Sequence, residues 1–313
     1  MGRPRSRRTF LAQSAAVVAA LHAPNPAPAE AGMAGQHFLC VTCGIQFAES
    51  ERPPERCPVC EDERQYVPAR GQQWTTLDAL RRDHRNEVKE EEPNLYGIGT
   101  APKFAIGQRA LLVRTPGGNV LWDCVSLLDG ATVRAVNDLG GLAAIAVSHP
   151  HFYSSAVEWG RAFGGAAVYL HAADRRWAMR PDPIIVFWEG ETRPLHDGLT
   201  LVRCGGHFPG GAVLHWPAGA GGRGAVLTSD ILTVCADRRF VSFMYSYPNY
   251  TPLPAAAVRG VARAVAPFRY DRIYGGWWEA VIAAGAEAAV ARSEERYLRA
   301  IGTTEHTENT ETR

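Results

Sequence analysis

A run of small and branched apolar residues, Ala144-Ile145-Ala146-Val147, stops at Ser148 and delivers His149-Pro150-His151. The run has the length of one short buried strand. In extended backbone, residues two apart project to the same side, so the two imidazoles are expected together at the carboxyl end of that strand. Strand ends of this kind are where α/β architectures place their chemistry. Imidazole suits zinc, iron, copper or nickel. Taken alone, a His-x-His is more often an ordinary pair of loop histidines, so its weight depends on what the chain sets beside it.

Short strands and turns fill the chain from Phe104 onward. Residues 109–114 and 119–123 read as two strands joined across Pro116-Gly117-Gly118, a turn by composition. Residues 131–139 and 155–163 read as helices, with a strand over 166–170 after the histidines. Strands are expected near 184–188, 199–203, 212–216 and 225–229, and helices over 254–265 and 279–300. This order predicts an α+β chain in which helices cover packed sheets.

Three further strand ends carry polar residues. Cys204-Gly205-Gly206-His207-Phe208-Pro209-Gly210-Gly211 sets a histidine in a glycine-rich turn, where the backbone can approach a ligand closely. Thr228-Ser229-Asp230 and Leu121-Trp122-Asp123 each end a strand with an aspartate.

A second cluster lies nearer the N-terminus. Cys40-Val41-Thr42-Cys43-Gly44 and Cys57-Pro58-Val59-Cys60 are two Cys-x-x-Cys turns, with thirteen residues between Cys43 and Cys57. Each turn offers two thiolates to one metal, and two turns close a tetrahedral site. A segment this short has no core of its own, so a metal must hold it together. Two disulfides are the alternative, disfavoured by the paired spacing. The residues from Phe38 through Pro53-Pro54 to Cys60 resemble the rubredoxin-type module of rubrerythrins, a family that binds iron and passes electrons. Glu61-Asp62 stands where that module usually has glycine. Zinc is the expected metal, and iron fits the same geometry.

The remaining segments bound the class. The 313 residues are 46% hydrophobic with a net charge of +1, enough for one large domain and a small appendage and without a nucleic-acid footprint. No apolar run is long enough to span a membrane. Residues 1–32, with Arg7-Arg8, a modest apolar stretch and Ala27-Pro28-Ala29, resemble a twin-arginine export leader; a true start at Met33 would instead leave the protein cytoplasmic. Residues 33–70 hold the knuckle. Residues 71–102 are expected to be a linker, with a short helix opening at Thr76 and a solvated helical face over Glu87–Glu92. Residues 303–313 are polar and expected to be a disordered tail.

From Phe104 to Ile301 the ordered motifs Asp123, His149-x-His151, Gly206-His207-x-Pro209-Gly210 and Ser229-Asp230 resemble the metallo-β-lactamase fold. That resemblance implies an αββα sandwich over 103–302 with a metal site between the sheets. It implies that His149, His151 and His207 bind the first metal. Asp230 then matches the bridging aspartate, and Asp123 an aspartate supporting the ligands from behind. The family's hydrolases usually read His-x-His-x-Asp-His, where this chain has Tyr153 and Ser154 in the last two places. After the strand near 272–274, Gly275-Gly276-Trp277-Trp278 stands where the late histidine should fall. A single-metal site is therefore expected. Tyr153 is read either as a hydrogen-bond donor to a developing oxyanion or as a packing residue. Trp277 and Trp278 are read as pocket walls or as core.

The expected function is a metal-dependent hydrolase in which Asp230 and Tyr153 act beside a three-histidine zinc that activates water against an ester, thioester, amide or phosphoester. Flavodiiron proteins and persulfide dioxygenases, which the domain combination also resembles, give a mononuclear iron oxidoreductase as an alternative. A binding protein on a decayed enzyme fold is the third. His171 and His215 are expected to be structural, and Cys124, Cys204 and Cys235 lack the partners of a nucleophile.

Overall fold

Strands that are apolar throughout, rather than alternating, build this molecule in layers. The computed structural model describes residues 35–302; the expected leader and tail lie outside the described residues. In the strand Arg109–Val113, Ala110 and Leu112 enter one core while Leu111 and Val113 enter another. Leu121 and Ile145 face the first core, and their neighbours Val120, Trp122, Ala144 and Ala146 face the second. In the C-terminal half, Val213 and Val226 face a third core, while Ala212, Leu214, Ala225 and Leu227 join the middle one. Strands covered on both sides read as unbroken apolar runs. The middle core lies between two sheets, and the architecture is the expected αββα sandwich.

The first sheet has seven strands in the order Ile185–Trp188, Ala167–His171, Ala144–Ala146, Val120–Trp122, Arg109–Val113, Leu95–Ala101 and Arg85–Glu92. The first four are parallel neighbours. Helices Gly130–Asp138 and Ala156–Ala162 lie in two of the three crossovers that parallel pairing requires, and the 3₁₀ turn Ala172–Trp177 lies in the third. The second sheet runs Thr192–Pro194, Thr200–Arg203, Ala212–Trp216, Ala225–Ser229, Arg272–Gly275 and Val281–Ile282. Its single parallel pair, Ala225–Ser229 with Arg272–Gly275, is bridged by helix Ala255–Val265. No helix among the described residues is long and apolar enough to cross a membrane.

Several expectations need correction. Residues 71–102 are not a linker: Arg85–Glu92 and Leu95–Ala101 are paired strands of the first sheet, so the boundary expected at 103 falls inside that sheet. Glu87–Glu92 is strand, not helix. Charge suits it because it is an edge strand, where charged side chains keep the unpaired side in water. The helix expected over 279–300 starts later, at Ala286–Ala300, because Val281–Ile282 pairs with Arg272–Gly275 first. The short helix at Thr76 is present as Leu77–Asp83, and the Thr76 hydroxyl accepts from Ala79 N at 3.2 Å.

The knuckle is continuous with the sandwich. Strands Gln36–Cys40, Gln46–Ser50 and Trp74–Thr75 form a small sheet, and Pro58–Glu61 a single helical turn. All four cysteines lie in the same core as Ile98, Leu112, Leu121 and Trp159.

Candidate metal centre

Each candidate ligand sits where an apolar run ends. The strand Ala144–Ala146 stops, and His149 remains extended at φ −170°. Pro150–Phe152 then forms a 3₁₀ turn, so the two histidines are not on one extended face as expected. The turn still brings both rings to one place, with centroids 5.4 Å apart. His207 is delivered by Gly205 and Gly206, both in the left-handed region at φ 67° and 76°, which glycine adopts without strain. Asp230 follows the strand Ala225–Ser229 directly.

His149, His151, His207 and Asp230 converge, with one ligand atom from each lying within 4.8 Å of the others. His207 Nε2 is 3.2 Å from His151 Nδ1. His149 Nε2 is 3.1 Å from Asp230 Oδ1, yet both atoms are buried without a hydrogen-bond partner. The far nitrogens are engaged: His207 Nδ1–H donates to the Tyr245 carbonyl at 2.7 Å, and His149 Nδ1 lies 2.9 Å from the Ser148 hydroxyl. Such bonds fix the ring and its tautomer, as partners behind metal ligands do.

Burial sets the electrostatics. It pushes the His149 and His151 imidazoles well below their usual range and His207 down to about 4, so all three are neutral and able to ligate. Burial raises Asp230 to about 8, with the Asp123 charge adding to the effect. Neutral imidazoles and an orphaned carboxylate oxygen, aimed at one point in a buried site, are the donor set of a divalent cation. The residues therefore fit a metal, and a bound cation would favour the ionised Asp230.

Asp123 stands behind the cluster, bonded to the residues that precede His149 and Asp230. Its Oδ1 accepts from Ser148 N at 2.9 Å, and its Oδ2 accepts from the Ser229 hydroxyl. It thus ties the residue before His149 to the residue before Asp230. Burial raises this carboxyl to about 7.

Of the positions that depart from the family frame, Tyr153, Ser154 and Trp278 turn away from the cluster and Trp277 stays beside it. Tyr153, expected as an oxyanion donor or a packing residue, packs: it lines a separate apolar cavity with Ile45, Val157 and Met179, and its hydroxyl has no partner. The Ser154 hydroxyl donates to the Cys124 carbonyl. Gly276 N donates to Ser229 O, and the Phe152 ring fills the space where a Cβ on Gly276 would stand, at 2.8 Å. The two tryptophans separate. Trp277 lines the pocket at the cluster, its indole N–H bonded to Ile106 O at 3.1 Å. Trp278 instead covers Gly97 and Gly99, where a Cβ would come within 2.6 and 2.7 Å of the indole.

The pocket at the cluster is small, about 110 Å³. Beside His151, His207 and Asp230, its walls include Tyr247 and Pro248, which follow the short strand Met244–Ser246. Arg64, Gln65 and Ile106 also line it, and nothing in the sequence pointed to them.

The four cysteines form the other cluster. Cys40 and Cys60 Sγ are 3.5 Å apart, Cys43 and Cys57 Sγ 3.7 Å, and all four are free rather than disulfide-bonded. A tetrahedral metal with bonds of about 2.3 Å separates its sulfurs by about 3.8 Å, so this arrangement fits a single ion. The Cys40 sulfur also accepts from the Gln72 amide at 2.9 Å.

Other polar candidates are structural. His171 accepts from Ala173 N and lies edge-on to Trp188, and His215 lies 3.0 Å from the Arg269 carbonyl. Burial raises the Cys124 thiol well above its usual value, which opposes a nucleophilic role.

No family model matches this sequence. It is 50% identical over 267 residues to the Bacillus subtilis (strain 168) uncharacterized protein YmaE, covering 85% of this chain and 97% of that one. Among solved structures, the DIM-1 metallo-β-lactamase is similar with a TM-score of 0.53 and 14% identity, over 69% of this chain and 98% of its own. TMB-1 gives a TM-score of 0.53 and 14% identity, and VMB-1 gives 0.52 and 12%, over the same shares. Identities this low establish the architecture alone, the metallo-β-lactamase fold, and the 50% relative establishes the kinship: the chain belongs to the family of YmaE.

Proposed function

We propose that this protein is a metal-dependent hydrolase with one catalytic zinc, held by His149, His151, His207 and Asp230, and one structural zinc in the cysteine knuckle. The observation that carries this reading is the convergence of four buried ligand atoms on one point, with His149 Nε2 and Asp230 Oδ1 left without hydrogen bonds. A divalent ion held by these residues would supply Lewis acidity and would bring the ionisation of water near neutrality.

The chain's own residues supply the rest. Asp230 is the one carboxylate among the pocket-lining residues, so it is the proton acceptor within reach of a water there. Asp123 holds the two strand ends that carry His149 and Asp230, which keeps the ligands in register. Tyr247 donates its hydroxyl to the Asp230 carbonyl at 2.5 Å and, with Trp277, excludes bulk water. A pocket of about 110 Å³ admits a small substrate or the end of a larger one. The bond classes that fit are ester, thioester, amide and phosphoester.

The test is a panel of such substrates with the wild type, His149→Ala and His207→Ala. Activity in the wild type and its loss in both variants supports the reading. Equal rates in all three proteins place the chemistry elsewhere.

A further inference from the structure

Arg64 stands apart from the other charged residues near the pocket. It is 5% exposed, and it lies four residues after Cys60, the last knuckle ligand. Its guanidinium is held by Asp62 through two bonds, Nε to Oδ1 at 2.6 Å and Nη2 to Oδ2 at 2.8 Å. A further donor, Nη1, reaches the backbone carbonyl of His207 at 3.2 Å. The plane sits over the Phe208 ring at 4.1 Å. A fork with several donors on a rigid plane can serve both groups at once, and an ammonium cannot reproduce that.

His207 is held on its other side by the segment Tyr245–Asn249, which is itself bonded to the knuckle's exit segment Asp62–Gln65, called the tail below. Its Nδ1–H donates to Tyr245 O, and the segment carrying Tyr245 is bonded to residues 63–65. Ser246 Oγ donates to Arg64 O at 3.2 Å, Tyr245 OH donates to Glu63 at 2.5 Å, and the Asn249 amide reaches Glu63 O and Gln65 O at 2.9 and 3.0 Å. The tail is in turn fixed by the knuckle, where Glu61 N bonds to Cys57 O and Asp62 N to Pro58 O.

We infer that Arg64 is a positioning residue of the histidine centre, and that the metal in the cysteine knuckle controls that centre by holding the tail Asp62–Gln65 against His207. The inference rests on the histidine cluster binding a metal. The knuckle is then more than an appendage: ligand binding at Cys57 and Cys60 fixes the turn, the turn fixes Asp62 and Arg64, and these fix His207. Loss of an orienting partner behind a metal ligand weakens metal binding by about 10- to 100-fold.

Cobalt(II) titration of the full chain reads both sites in one experiment. The thiolate site gives intense charge-transfer bands, and the histidine site gives weak d–d bands without them. Wild-type protein binds two cobalt ions. Arg64→Ala keeps the thiolate bands, binds the second cobalt about 10- to 100-fold more weakly and shows altered d–d bands. Arg64→Lys recovers only part of the loss. Cys60→Ser, with the knuckle ion gone, shows the same weakening at the histidines. Arg64→Ala protein that binds the second cobalt within about twofold of wild type, with the same d–d bands, overturns the inference whatever its melting temperature. If Cys60→Ser does not fold, the Arg64 pair still decides, because it leaves every ligand in place. Wild-type protein that takes up cobalt only at the thiolates refutes the metal reading of the histidines itself, a result distinct from an unaffected Arg64 variant.

Discussion

Asp174 offers a stability test whose size and sign follow from its surroundings. It is 1% exposed, in the 3₁₀ turn Ala172–Trp177 behind the loop that carries His207. Its Oδ1 accepts from Gly210 N at 3.1 Å, and its Oδ2 has no partner. Burial raises the carboxyl from 3.8 to about 6, against the opposing pull of Gly210 N–H and the Arg64, Arg176 and Arg203 charges. A folded-state value above the unfolded one means the stabilisation is full below pH 3.8 and is lost as pH rises through about 6. At about 1.4 kcal/mol per pH unit, the whole effect is about 3 kcal/mol, roughly half of it falling between pH 5 and 7.5. Asp174→Asn keeps an oxygen for Gly210 and never carries the charge. Urea unfolding of both proteins across that range, at fixed zinc, therefore predicts that the variant gains about 1.5 kcal/mol on the wild type as pH rises. Differencing the two proteins cancels the opposite contribution of the buried histidines. A difference that stays flat with pH would refute the reasoning, because it would mean that Asp174 ionises in the folded protein as it does in the unfolded one.

Other substitutions probe other parts of the account. Asp123→Ala leaves Ser148 N and the Ser229 hydroxyl unsatisfied in a dry interior, at about 1–3 kcal/mol each; denaturant unfolding is expected to show a loss of about 2–6 kcal/mol, and Asp123→Asn a smaller one. Tyr153→Phe removes a hydroxyl with no partner that faces a different cavity, so metal content and any hydrolytic rate stay at wild-type values; a large fall in rate would restore the oxyanion role expected from its position in the sequence. Thr76→Ala removes the cap of Leu77–Asp83 and costs about 1 kcal/mol by the same unfolding assay.

The candidate site residues were legible because most of them punctuate an apolar run. His149, His207, Asp123 and Asp230 follow strands buried on both faces, and such strands announce where they stop. The knuckle was legible because thiolate pairs have a fixed spacing. Arg85–Glu92 was not, since a charged edge strand and a charged helix face have the same composition; the signal was the hairpin turn, where Asn94 takes φ 72°. Tyr153 left its two readings, oxyanion donor and packing residue, open in the sequence. The 3₁₀ turn Pro150–Phe152 rotates the chain, so a residue two places beyond a ligand faces the knuckle side of the first sheet rather than the metal. Arg64 had no local signature at all, because its meaning lies in a contact 143 residues away.

Metal content, measured together with the visible spectrum, tests the central claim most directly. The account predicts two zinc ions per colourless chain, falling to one in a His149→Ala, His207→Ala variant whose knuckle stays loaded. A wild-type chain with one zinc, lost in Cys40→Ala, would contradict it by leaving the three histidines without a metal.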